Sequence, residues 1–298
     1  MIKTVPETVL LGVIEGGGSW TRCALATEDG TIHTRAQHPT TSPEATLQRV
    51  QDFFAGVPIT ALGVGFFGPL ERDTGAIGAT PKPGWSGIQL RERLQSRLGV
   101  PVALETDVIA AAIGEHWRGA GRDARSLLYL TVGTGIGGGL LHDGRPVGGR
   151  HHPEVGHMAV PVLDDDTGFV GVCPFHTDCL EGRASGPALA ARWGMPGERL
   201  PASHPGWDLQ ARYLALGIRN LVAICAPDTV IVGGGLGRST ALQAPLRMHL
   251  ARELERYWPG IDLGTLLRPP GLGADSALVG AARLALHVKK RKQSYQDG

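Results

Sequence analysis

The sequence predicts an α/β protein made of two copies of one pattern. An apolar strand, a glycine turn, a second strand, an Asp-Gly turn and a third strand open the chain, and the same order returns more than a hundred residues later. After each copy, strands alternate with helical stretches, which is the grammar of the α/β class. A length of 298 residues suits two domains. The join falls in "RGAGRDA", residues 118–124, giving an N-terminal domain over 1–119 and a C-terminal domain over 120–298. The last helix is free to pack back on the first domain.

In chain order, residues 9–15, "VLLGVIE", form a short β-branched apolar run, read as a strand. "GGGS" turns it into "WTRCALAT", and "EDG" marks the next hairpin. "ITALGVGFFGPL" and "PVALE" are strands, and "VIAAAIGEHWR" after Asp107 is a helix. The second copy begins with "SLLYLTV", passes through "GTGIGGG" and turns at Asp143-Gly144. "GPALAARWG" and "DLQARYLALGIRNLVAICA" are helical, "DTVIVGGGLG" is a strand ending in glycines, and "SALVGAARLALHVKK" is the last helix. The polar tail "KRKQSYQDG" is expected to fray.

Composition excludes several classes of function. Charged residues are 19% and the formal net charge is +1, so no basic excess draws nucleic acid or an anionic membrane. No run of about 18 apolar residues is present to span a bilayer. The N-terminus lacks a signal-peptide layout. Four cysteines make no disulfide framework in a chain of this size, so a cytoplasmic location with free or metal-bound thiols is expected.

Three kinds of stretch carry chemistry. Glycine turns can bring backbone N–H groups up to an anion. Gly16, Gly17 and Gly18 with Ser19, Gly133, Thr134 and Gly135, and Gly234 with Gly235 are the candidates here. None has P-loop or dinucleotide-fold spacing, because the first two join strand to strand. Two such hairpins in duplicated halves are what an ATP-grasping, two-domain protein needs. Asp107 sits between a strand and a helix; it reads either as a helix cap or as a carboxylate able to accept a hydroxyl proton. Cys173-x-x-His176-x-x-Cys179 offers three zinc ligands in one loop. His157 is the best fourth, with His151 and His152 as substitutes. Four protein ligands leave no open position, so the zinc would be structural.

Taken together these residues resemble the ROK family (repressors, open reading frames and sugar kinases), over about residues 10–286. "EGGGS", "TVGTGIGGG" and "VGGGLG" resemble its two phosphate motifs and its adenosine-side glycines. "HPEVGH" and "CPFHTDCLEGRASGPA", with "FGPL" and "ATPKPGW", are most similar to the bacterial fructokinase branch. The resemblance implies a duplicated actin/hexokinase-like (ribonuclease H-like) fold, two domains around a cleft. It implies ATP-dependent phosphorylation of the 6-hydroxyl of a hexose, D-fructose first, with Mg²⁺ on the ATP phosphates and a homodimer. Asp107 matches the catalytic base. Thr106, Glu154, His157 and Glu181 match sugar-binding positions. His157, Cys173, His176 and Cys179 match the zinc ligands. Mannose, glucose or an N-acetyl amino sugar as substrate, or a catalytically weak sugar sensor, are the alternatives. A repressor with a DNA-binding domain is not expected, since few residues precede the first motif and the charge is near zero.

Two departures from the family pattern stand out. The common first motif, Asp-x-Gly-Gly-Thr-Lys, reads here Glu15-Gly-Gly-Gly-Ser19-Trp20, which removes the lysine charge. Positions 20 and 22 share one strand face, so Arg22 is the expected substitute. Thr106 replaces an asparagine usual in glucose-directed relatives, which argues against a glucose-first enzyme, and Ile109 also replaces a frequent asparagine.

Overall fold

Two five-stranded sheets organise the chain, and they have the same strand order. The computed structural model describes residues 10–149 and 151–296, without the side chains of 293–296. Val9 of the first expected strand and the end of the expected polar tail lie outside the described residues. The chain divides into two compact units, Met1–Arg122 with Gly148–His152 and Asp275–Gly298, and Asp123–Val147 with Pro153–Ala274.

In the first unit, β1 (Leu10–Gly16), β2 (Trp20–Ala26) and β3 (Ile32–Pro39) form an antiparallel meander. Helix α1 (Pro43–Phe54) leads to β4 (Ile59–Phe66), which lies parallel to β1. Helix α2 (Leu90–Leu98) leads to β5 (Val102–Thr106), parallel to β4, and α3 (Asp107–Arg118) follows at once. The sheet order is β3-β2-β1-β4-β5. Leu10 to Ile14 of β1 are all buried, because both faces of the strand are covered there; only Glu15 among its side chains is charged. Leu10 and Ile14 pack with Leu47, Val50 and Phe54 of α1, while Leu11 and Val13 face the other way.

The second unit repeats this plan. β6 (Ser126–Val132), β7 (Ile136–His142) and β8 (Arg145–Pro146) are antiparallel. Asp143 and Gly144, the two-residue loop between β7 and β8, both have left-handed φ, 49° and 70°, as the tightest hairpin turns require. Helices α4 (Leu180–Ala184), α5 (Gly186–Trp193) and α6 (Gly206–Cys225) precede β9 (Thr229–Gly233). Then come α7 (Gly234–Gly237), α8 (Thr240–Glu255), α9 (Leu263–Leu266) and β10 (Leu267–Arg268). β9 pairs parallel with β6 and β10 with β9, giving β8-β7-β6-β9-β10. Leu214, Ile218 and Leu221 of α6 and Leu242, Leu246 and Leu250 of α8 join Leu128, Leu130 and Val132 of β6 in one core.

The last helix, α10 (Ser276–Gln296), belongs to the first unit and packs on α3, β4 and β1. Small residues let it approach: a Cβ on Gly280 would fall 1.7 Å from the carbonyl oxygen of Ala110 in α3. Leu278, Ala281, Ala282 and Ala285 cover the second face of the sheet. The helix continues through residues expected to fray as far as Gln296, the last described residue. Among the described residues no helix is long and apolar enough to cross a membrane.

Candidate active site and metal centre

In the first unit, the turn between β1 and β2 is held by its own backbone. The Gly17 N–H donates to the Trp20 carbonyl at 2.8 Å, and the Thr40 N–H and hydroxyl bond the carbonyls of Ser19 and Gly17 at 2.9 Å each. Gly18 and Ser19 are exposed at the tip. Trp20, 51% exposed, brings no charge to it. Arg22, expected to replace the missing lysine, is committed elsewhere. Its guanidinium pairs with Glu15, directly across the β1–β2 ladder, and with Asp275 at 3.4 Å. That pairing neutralises it, and the expectation is corrected.

The cation at this turn is one that sequence reasoning missed. Lys82, half-buried, donates from its ammonium to the Gly18 carbonyl. A signal existed, because Lys82 is the only lysine between Lys3 and Lys289 in a chain that otherwise uses arginine.

Asp107 is the first residue of α3, not its cap. Thr106 caps the helix, its hydroxyl oxygen accepting from the Ile109 N–H at 3.3 Å. The Asp107 carboxylate accepts from the Val108 N–H at 2.9 Å. Asp107 is half-buried and Thr106 buried.

In the second unit, the β6–β7 turn closes with the Gly133 N–H on the Gly135 carbonyl at 2.9 Å, leaving Thr134 exposed. Two further elements reach it. The Gly186 N–H donates to the Gly133 carbonyl at 2.7 Å. Gly234 adopts a φ of 82° so close to β6 that a Cβ would fall 2.4 Å from the Val132 carbonyl. Gly235 beside it is exposed and open. Glu181 adjoins the same turn, one carboxylate oxygen accepting from the Ile136 N–H at 2.9 Å. The structure therefore gathers Gly133, Gly135, Glu181 and Gly234 in this unit.

His157, Cys173, His176 and Cys179 converge nearby in sequence and in space, with one donor atom from each all within 4.8 Å of one another. Cys173 Sγ lies 3.7 Å from His157 Nδ1 and 3.8 Å from His176 Nδ1, and Cys179 Sγ lies 3.9 Å from His157 Nδ1. Tetrahedral zinc holds sulfur and nitrogen ligands about 3.5 Å apart, so the four residues fit the ion after a small contraction. Burial pushes the Cys179 thiol up to about 11, and a cation bound there would favour its thiolate, the form that ligates metal. His151 and His152 belong to the first unit and are not in this group.

Backbone pairing fixes the group. Val160 N–H bonds the Asp178 carbonyl and Leu180 N–H the Met158 carbonyl, both at 2.9 Å, tying the Glu154–His157 turn to the start of α4. Behind it, buried Asp166 accepts from Arg192 at 2.8 Å and from the Tyr213 hydroxyl at 2.6 Å, joining the preceding loop to α5 and α6. Glu154 sits one turn before His157. Partial desolvation raises its carboxyl, His157 lowers it, and Glu181 raises it again, so the three groups sense one another.

Against known proteins, the model of the ROK family matches residues 11–288. The chain belongs to the ROK family. It is 37% identical over 282 residues to a fructokinase of Pediococcus pentosaceus, covering 93% of this chain and 98% of that one. It is 39% identical over 261 residues to a fructokinase of Lactococcus lactis subsp. cremoris, covering 86% and 88%. Among solved structures it resembles a ROK family glucokinase from Streptomyces griseus in complex with glucose and AMPPNP, with a TM-score of 0.77, 25% identity, and 93% and 99% of the two chains covered. The two-unit α/β fold is that of this family's kinases.

Proposed function

We propose that this ROK protein transfers the γ-phosphoryl group of ATP to the 6-hydroxyl of a hexose, and that the hexose is D-fructose. The observation that carries this reading is the likeness to fructokinases across nearly the whole chain. In this reading ATP enters as its Mg²⁺ complex. The glycine turns at 16–19 and 133–135 and the glycines at 234–235 receive it through backbone N–H groups, which are donors an anion can approach closely. Glu154, His157 and Glu181 bind sugar hydroxyls, and Asp107 takes the proton of the reacting one. A zinc ion on His157, Cys173, His176 and Cys179 supplies rigidity rather than chemistry, since four protein ligands fill its shell. The protein is expected to act in the cytoplasm and as a homodimer. Measuring ADP formation over a panel of hexoses tests the proposal. Turnover should depend on sugar and be fastest with fructose; equal ATP hydrolysis with and without sugar would refute it.

Within this reading Lys82 supplies the charge that Trp20 lacks at the first turn. Lys82→Ala should raise the KM for ATP about tenfold, the scale of one charge-assisted contact. The KM for sugar and the melting temperature should not move, and Lys82→Arg should recover part of the loss. An unchanged KM for ATP would make Lys82 a mere tether of the turn.

A further inference from the structure

The first unit contains a polar cavity of about 110 Å³ that none of the roles above uses. Its walls include Arg72, Arg91, Glu105, His152, Leu70 and Leu104. Three of these residues present buried polar atoms with no hydrogen-bond partner among the described residues: Nε and one terminal nitrogen of Arg72, one carboxylate oxygen of Glu105, and Nδ1 of His152. His152 is itself 9% exposed. Buried polar atoms are costly unless matched, and this many in one place point to an occupant.

The chemistry of that occupant follows from the walls. Arg72 offers two adjacent N–H donors, since its other terminal nitrogen already reaches the Gly148 carbonyl at 3.4 Å. Glu105 offers an acceptor. Burial, and then Arg72, push His152 down to about 4, so its ring is neutral at physiological pH. Burial also raises the Glu105 carboxyl, and Arg72 lowers it. Two arginines face two glutamates, Glu71 being the second, so neither a bare anion nor a bare cation is favoured. A hydroxyl both donates and accepts, and answers all three groups. Water does so too, but one water needs only roughly 10–15 Å³ of such space. The cavity is several times larger, and Leu70 and Leu104 give it apolar walls that C–H groups can cover.

Its position also matters. Leu104 and Glu105 are the two residues before Thr106 and Asp107, and Leu70 follows Gly68, where a Cβ would lie 3.5 Å from Thr106 Cγ2.

We infer that this cavity is a binding subsite for a neutral polyhydroxyl compound, with Arg72, Glu105 and His152 grasping two adjacent hydroxyls against Leu70 and Leu104. The occupant is either part of the hexose substrate or a second sugar molecule. The inference rests on the sugar-kinase reading for the identity of the ligand.

Calorimetric titration of the full-length protein with D-fructose, D-glucose and D-mannose, without ATP, tests it. The variants are Glu105→Gln, which keeps the shape, and His152→Gln, in case the first is unstable; melting temperature and KM for ATP serve as controls. If the hydroxyls are the substrate's own, binding is one to one and sugar affinity falls about tenfold in both variants, the loss expected for one charged or buried partner. If they belong to a second sugar, the native protein binds two and the variants one. Unaltered sugar affinity and stoichiometry in both folded variants would overturn the inference and leave the kinase reading standing. A native protein that binds no hexose would overturn both.

Discussion

Asp107→Asn should fold normally and bind both substrates, while kcat falls by about 10²–10⁴-fold, the range that general-base catalysis contributes. A sugar hydroxyl is a weak nucleophile until its proton has a destination. Aspartate can accept the proton as the phosphoryl group arrives; asparagine cannot. The structure makes the substitution cleaner than the sequence implied. Helix α3 is capped by Thr106, so position 107 can be changed without removing the cap. Asparagine also retains an oxygen for the Val108 N–H. The loss should therefore appear in kcat with the KM values nearly unmoved, the mark of an interaction made in the transition state. Near-normal kcat in a folded mutant would remove Asp107 as the base.

Cys179→Ala should abolish binding of one zinc per chain and lower the melting temperature by on the order of 10 °C, since losing a structural metal is among the few single changes worth several kcal/mol. Cys179 caps α4, its sulfur accepting from the Gly182 N–H at 3.3 Å, and Glu181 lies two residues on. Losing the anchor should therefore also weaken sugar binding while sparing ATP. Metal analysis of the purified native protein and variant, with melting curves and both KM values, checks this. Metal-free native protein of full stability and full sugar affinity would refute a structural zinc.

Much of the fold was legible because it rests on local signals. Strand, glycine turn and Asp-Gly hairpin are set by neighbouring residues, and the pattern that repeats in the sequence appears as two sheets of the same strand order. Helices α1, α2 and α8 were not foreseen. α8 carries Pro245 but also Leu242, Leu246, Leu250 and Leu254 at every fourth position, a stripe that the proline obscured. The clustering of His157, Cys173, His176 and Cys179 was legible because three of the four share one loop. Arg22 was misread because strand periodicity describes one strand, whereas its partner Glu15 sits across the ladder and Asp275 comes from the far end of the chain. Lys82 and the Arg72–Glu105–His152 cavity depend on tertiary proximity, which no spacing announces.

The carbon NMR spectrum of the product formed from ATP and D-fructose is the most direct test of the central claim. Phosphorus coupling should appear at C6 and its neighbour, with ADP and sugar phosphate formed in equal amounts. Phosphorylation at another carbon, or ATP consumed with no sugar phosphate, would contradict it.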